Sequence, residues 1–140
     1  MWFSKNQGVQ TPPAQSTTKA AGDAAEALAL RHLQAGGLKL VTRNFKTPGR
    51  GGGEIDLIMS APDGTLVFVE VRQRASTSHG GAGASISAVK QRRIVFAARH
   101  YLMRFNTLPP CRFDVLLVHG NVDRPDAPRL EWLRGAFDAF

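Results

Sequence analysis

The sequence is poor in cysteine and in long apolar runs, and each shortage excludes a class of protein. One cysteine among 140 residues, Cys111, excludes an internal disulfide and fits a reducing compartment. No apolar run approaches the roughly 20 residues of a membrane span. The first residues, MWFSKNQ, lack the basic-then-apolar order of a signal peptide. We therefore expect a cytoplasmic protein with no membrane partner, in which Cys111 is a structural thiol.

Several motifs of common enzymes are also missing. The glycine-rich stretch TPGRGGG at residues 47–53 lacks the Gly-Lys-Ser/Thr ending of a P-loop. The four histidines, His32, His79, His100 and His119, have no spacing that indicates zinc. There is no internal repeat. With 43% hydrophobic residues, the chain suits one globular domain.

Acidic residues are few relative to basic ones. Eleven Asp and Glu stand against 18 Lys and Arg, which gives a net charge of +7. Such an excess favours a polyanionic partner, with nucleic acid first, although scattered surface charge is the alternative. The residues expected to contact nucleic acid lie around one acidic hairpin, and they are Arg50, Arg74, Lys90, Arg92 and Arg93.

That hairpin is the most informative stretch of the sequence. Residues 54–61 and 65–73 alternate as two strands, joined by Pro62-Asp63-Gly64, the residues of a three-residue loop. The loop length predicts that Asp56 lies opposite Glu70, with their side chains on one face together with Ile58 and Phe68. The other face is predicted to be apolar and to carry Ile55, Leu57, Met59, Val67, Val69 and Val71.

Two facing carboxylates on a partly buried sheet repel each other unless something neutralises them. A divalent cation held by Asp56 and Glu70 is one solution, and oxygen ligands suit Mg²⁺ or Mn²⁺. A cross-strand ladder, in which Glu54 and Asp56 pair with Arg72 and Arg74, is the other. The spacing alone leaves both open.

The remaining elements flank this hairpin. Residues 1–16 are predicted to be a flexible N-terminal arm, followed by a single domain over 17–140. The domain is expected to contain a helix from Thr17 or Thr18 to Gly36, a strand over 38–46, the hairpin, a helix from Ser85 or Ser87 to about Phe105, a strand over 111–118, and a short edge strand over 130–133. The order α-β-β-β-α-β predicts an α/β fold with a mixed sheet and helices on both faces.

The motifs GEIDLI, FVEVRQR and RFDV together resemble the YraN-like family of predicted nucleases. That family is grouped with the restriction-endonuclease-like, or PD-(D/E)XK, superfamily, which includes the archaeal Holliday junction resolvases. The resemblance spans about residues 22–118. It implies a restriction-endonuclease-like fold, a metal ion on Asp56 and Glu70, and a first-helix glutamate, Glu26, beside them.

The resemblance also implies a helix lysine, Lys90, near the metal. The superfamily usually has lysine two residues after the second acidic ligand, where this chain has Arg72. Arginine stays protonated, so it cannot act as a general base, although it can stabilise an anionic transition state.

Three functions remain open from the sequence. The leading hypothesis is a metal-dependent endonuclease acting on DNA, branched DNA included. The second is a nucleic-acid-binding module with the nuclease fold but little or no cleavage, and the third is a protein-binding adaptor. Cutting both strands of a junction would require a homodimer.

Overall fold

The computed structural model of the chain describes residues 14–74, 86–120 and 128–138. Two helices and five strands follow one another along the chain. They are α1 (Ala14–Ala35), β1 (Lys39–Lys46), β2 (Glu54–Ser60), β3 (Leu66–Arg74), α2 (Ala88–Leu102), β4 (Cys111–His119) and β5 (Arg129–Phe137). Neither helix of this described part is long and apolar enough to cross a membrane.

The strands form one sheet whose spatial order, β1-β2-β3-β4-β5, is the order of the chain. β3 and β4 are parallel because α2 connects them, whereas the other neighbours are antiparallel. The predicted α/β class with a mixed sheet is therefore confirmed. The first six elements have the predicted order α-β-β-β-α-β, and β5 is a nine-residue strand instead of the four residues expected.

The sheet is covered on both faces, and each face has its own core. The core under α1 includes Ala29, Leu33, Leu57, Met59, Val67, Val69 and Leu116. The core under α2 includes Ile58, Phe68, Ile94, Ala97, Tyr101, Phe113 and Val115. This double burial explains why β3 and β4 are almost continuously apolar, as expected for strands inside a two-sided sheet. It also makes the sheet a rigid support for any polar group at its end.

The β2–β3 hairpin has the register predicted from its loop. Ser60 pairs with Leu66, Ile58 with Phe68, and Leu57 with Val69. The loop closes through the Gly64 amide, which donates to the Ala61 carbonyl over 2.9 Å, and Gly64 has the positive φ of 92° that this loop requires. A short loop of fixed length therefore determines which residues of the two strands face each other.

The predicted alternation fails at the other end of β2. Asn44 in β1 has a φ of 51°, while β1 and β2 keep one register on either side of it, Arg43 with Leu57 and Phe45 with Ile55. Directly after Asn44, Phe45 packs on Tyr101 of α2, with ring centroids 5.3 Å apart. Ile55 accordingly belongs to the core under α2. Its predicted place on the face of Leu57 is wrong, since Ile55 packs with Phe45 under α2 whereas Leu57 packs under α1.

Two helix assignments also needed adjustment. α1 begins at Ala14, so residues 14–16 of the predicted arm are helical, and residues 1–13 lie outside the described part. The apolar periodicity of α2 places Val89 on its core face, but in the structure this side chain is 56% exposed. The start of α2 agrees with the prediction, since the Ser87 hydroxyl accepts the Lys90 amide over 3.1 Å and caps the helix.

A buried carboxylate attaches β5 to the rest of the sheet. Asp114, fully buried in β4, accepts hydrogen bonds from the Arg112 Nε, the Trp132 Nε1 and the Gly135 amide at 2.9 to 3.1 Å. Arg112 forms an ion pair with this carboxylate. Because its acceptor capacity is used inside the fold, Asp114 has a structural role.

The approach of α2 to β2 depends on a glycine. A Cβ at Gly53 would overlap the Arg93 carbonyl oxygen, whereas a Cβ at Gly22 in α1 meets nothing within 4 Å. We expect Gly53→Ala to lower the free energy of unfolding by about 1–3 kcal/mol through overpacking. Gly22→Ala, the matched control, should raise it by about 1 kcal/mol through helix propensity. Urea denaturation measures both, and a Gly53→Ala variant as stable as the parent would contradict this close contact.

Candidate functional site

Two acidic side chains meet where the pairing of β2 with β3 ends. The last paired residues are Leu57 and Val69, and one further step in the same register brings Asp56 opposite Glu70. The Asp56 Oδ2 accepts the Val71 amide over 2.8 Å, so this side chain occupies the position of a strand partner for β3. The two carboxyl groups are also close enough for each to shift the pKa of the other. The predicted juxtaposition is therefore present.

Both carboxyl groups hold protons more strongly than usual. Burial raises the pKa of Glu70 to about 7, and the nearby Asp56 carboxylate adds to the rise, while Lys90 opposes it. Burial also raises the pKa of Asp56, against the hydrogen bond from the Val71 amide, which lowers it. Glu70, only 7% exposed, is thus a carboxyl group that is costly to ionise unless a cation lies beside it.

A cation from α2 does lie beside it. The Lys90 Nζ is 3.5 Å from the Glu70 Oε2, and the Lys90 side chain is 37% exposed. α2 begins at Ala88, two residues before Lys90, so the Ser87 cap and the first helical turn fix where Lys90 lies. Lys90 was expected near the site from the family resemblance, and the structure places it in contact with Glu70.

Glu26 of α1 lies on the wall of a cavity that also reaches Asp56. This cavity, of about 350 Å³, is lined on one side by α1 and on the other by the polar ends of β2 and β3. The Glu26 Oε1 is 3.3 Å from the Asn44 Nδ2 and 3.5 Å from the Arg43 Nη2. Glu26 therefore lines the same cavity as Asp56, and two residues of β1 hold the Glu26 carboxylate in place.

Sequence reasoning missed Arg43 and Asn44 as part of this site. They are neighbours in β1. Asn44 has a positive φ, and its side-chain amide donates to the Glu26 Oε1. A signal was available, since asparagine is several-fold enriched at positive φ. Inside a stretch that otherwise alternates as a strand, that signal was too weak to use.

The predicted acid–base ladder is not observed. Within residues 14–74, 86–120 and 128–138, neither Arg72 nor Arg74 forms an ion pair with Glu54 or Asp56, and Glu70 pairs with Lys90 instead. By the two-residue period, Arg72 lies on the same face of β3 as Glu70. Within the described residues, its guanidinium forms no ion pair with Glu70, which pairs with Lys90.

The other expected nucleic-acid contacts are distributed around the site. Arg50 is exposed in the loop between β1 and β2, Arg74 ends β3, and Arg92 and Arg93 are exposed on α2. Arg93 follows Lys90 by three residues on one row of the helix surface. Arg92 instead lines a groove on the outer side of α2. His79 lies outside the described residues.

The donor set of the carboxyl pair suits a hard divalent cation. Asp56 and Glu70 present oxygen ligands, and because burial raises the pKa of each carboxyl group, a cation beside them would stabilise their ionised forms. No group of three or more His, Cys, Asp or Glu side chains in the described part of the chain forms a closed metal cage. A metal here would thus keep water or substrate oxygens as its remaining ligands.

Burial raises the pKa of the Cys111 thiol, consistent with its predicted structural role.

The fold and the site define the class of this protein as an α/β domain with a carboxyl pair at the end of a central hairpin. A profile described as "Uncharacterised protein family UPF0102" matches residues 25–118, and the chain belongs to that family. This confirms the resemblance to the YraN-like family noted from the motifs.

Relatives from several bacteria share most of the chain. A UPF0102 protein of Polaromonas naphthalenivorans is 62% identical, with 99% of each chain covered. Those of Albidiferax ferrireducens and Paracidovorax citrulli are 67% and 64% identical, over 88% and 89% of this chain and 91% and 87% of theirs.

The raised pKa of Glu70 predicts a pH dependence of stability. Folded Glu70 keeps its proton up to about pH 7, whereas the unfolded residue loses it near 4.5. The folded state then binds more protons between these values, so the free energy of unfolding should fall as pH rises through this window. Glu70→Gln should flatten that fall. Urea denaturation in EDTA at several pH values measures it, and parallel pH profiles for the two proteins would contradict the assignment.

Proposed function

We propose that this protein is a metal-dependent endonuclease that hydrolyses phosphodiester bonds in DNA, with Asp56 and Glu70 as ligands of Mg²⁺ or Mn²⁺. The observation that carries the proposal is the contact of these two carboxyl groups at the end of a rigid hairpin. When bound, the ion would polarise the scissile phosphate and lower the pKa of an attacking water.

The chain's own residues would prepare this site in three ways. The Val71 amide fixes the Asp56 carboxylate by a 2.8 Å hydrogen bond, which orients the remaining oxygen lone pairs outward. Burial under α2 keeps Glu70 from full hydration, which strengthens its interaction with any cation. Glu26 contributes a third carboxylate on the wall of the cavity that reaches Asp56, and Arg43 and Asn44 hold it.

Lys90 supplies the ammonium group that is missing from the usual position after Glu70. It contacts the Glu70 Oε2 from α2, and its partial exposure allows it to reach a phosphate oxygen or a water molecule in front of the carboxyl pair. A lysine can donate a proton or stabilise a developing negative charge, whereas Arg72 can do only the second. We therefore assign the activating role to Lys90 and an electrostatic role to Arg72.

A specific observation favours the second candidate, a nucleic-acid-binding module without cleavage. Lys90 already neutralises part of the charge on Glu70 by an ion pair, so the carboxyl pair can exist without a metal. Together with Arg72 in place of lysine, this ion pair would suit a protein that binds nucleic acid through its basic surface but does not cleave it.

Nicking of supercoiled plasmid and of branched DNA in Mn²⁺ distinguishes the two candidates. The parent should nick, and Lys90→Ala and Arg72→Ala should each lose on the order of 10²-fold in rate, the scale of removing one preorganised donor. Arg72→Lys should keep or raise the rate. Asp56→Asn and Glu70→Gln should be inactive, and Asp63→Asn, which changes an exposed carboxylate at the far end of the same hairpin, should nick like the parent.

Two outcomes would overturn the endonuclease proposal. Equal nicking by the parent and Glu70→Gln would identify a contaminating nuclease. Absence of nicking by a parent protein that still binds DNA would leave the binding module as the function. If Arg72→Ala lowered stability without changing the nicking rate, Arg72 would have a structural role only.

A further inference from the structure

A groove on the outer side of α2 is not explained by the carboxyl pair. It has a volume of about 610 Å³ and lies away from Asp56 and Glu70, with an apolar floor formed by Val95 and Phe96. Arg92 and Arg99 of α2 contribute positive charge to its rim, and Asp138 at the end of the described chain contributes one carboxylate.

Phe96 is unusual among the aromatic residues of this protein. Its side chain is 53% exposed, whereas every other aromatic side chain within the described residues is buried or half-buried. An exposed aromatic ring in a basic groove offers a flat apolar face next to cations. Those are the two features with which proteins bind an unpaired base and its phosphates.

The groove is connected to the candidate site by one row of the helix surface. Lys90, Arg93, Phe96 and Arg99 follow one another at intervals of three residues, which places them on one inclined ridge of α2. Lys90 contacts Glu70 at the start of this ridge, and Phe96 lies about 9 Å further along the helix axis. Roughly three nucleotide steps of about 3.4 Å span that distance.

We infer that this ridge binds a single-stranded nucleic-acid segment that extends away from the carboxyl pair, with an unpaired base stacked on Phe96. The inference rests on the proposed function and narrows its substrate to DNA that is single-stranded beside the scissile phosphate. The charge supports this occupant, since Arg93 and Arg92 are exposed cations and the whole chain carries +7. Base pairing hides the faces of bases in a duplex, so only an unpaired base can stack on the ring.

Binding of a fluorescent oligo-dT to the full-length protein, in EDTA, tests the inference without involving cleavage. Phe96→Ala should weaken binding roughly 5- to 150-fold, the measured range for one base–aromatic stack, and leave the salt dependence unchanged. Phe96→Trp should restore the affinity and Phe96→Leu should not. Arg93→Ala should reduce the slope of log affinity against log salt by about 0.7, as expected for one phosphate contact on a single strand.

The control variant is Leu108→Ala, which removes a side chain that is 66% exposed and lies outside the groove. It should bind like the parent. A blunt-ended linear duplex should bind Phe96→Ala and the parent equally well, because it has no unpaired base that is free to stack. Circular dichroism of each variant establishes that it is folded.

Three results would overturn the inference: no oligo-dT binding by the parent, equal affinity of Phe96→Ala and the parent, or an equal loss for Phe96→Ala and Leu108→Ala. Light scattering that shows a dimer of the parent and a monomer of Phe96→Ala, with unchanged DNA affinity, would assign the groove to a second copy instead. If Phe96→Ala weakens oligo-dT binding but the parent does not nick plasmid, only the endonuclease proposal is refuted. If the parent nicks plasmid but Phe96→Ala binds oligo-dT normally, only the binding of a single strand along the ridge is refuted.

Discussion

The contact between the carboxyl groups of Asp56 and Glu70 is the interaction on which the account of this protein depends. Burial raises the pKa of both acidic groups, the Asp56 carboxylate raises that of Glu70 further, and the fold tolerates this because Glu70 keeps a proton or faces Lys90. Replacing both by apolar residues would relieve the repulsion. The arrangement is therefore a cost to stability, and such costs are typical of sites where a cation or a reacting group is bound.

The architecture explains how this unfavourable pair is held in place. The hairpin loop sets the register, and the two cores clamp β2 and β3 from both sides, so neither strand can slide to separate the carboxyl groups. Beside the left-handed Asn44, the pairing of β2 with β3 ends and polar side chains reach the end of the sheet. A rigid support that ends at this point places Asp56 and Glu26 around one cavity, with Glu70 opposite Asp56.

Much of this arrangement follows from local rules and was predicted from the sequence. The loop Pro62-Asp63-Gly64 determines the pairing of Asp56 with Glu70 because a hairpin loop of known length leaves one register. The Ser87 cap and the mixed sheet follow from equally local signals. The place of Ile55 was not predicted, because it packs with Phe45 under α2, a contact that the alternation within the hairpin does not contain. The preference of Glu70 for Lys90 over Arg72 depends on how α2 packs on the sheet, which no local pattern contains.

Anomalous scattering from crystals soaked in Mn²⁺ tests the central claim most directly, because it locates the ion without relying on activity. We predict a peak between the carboxyl groups of Asp56 and Glu70, within about 2.0–2.6 Å of an oxygen of each, together with movement of the Lys90 ammonium away from the Glu70 Oε2. Peaks confined to exposed carboxylates such as Asp63, with the Glu70–Lys90 ion pair intact, would contradict a metal site at this hairpin.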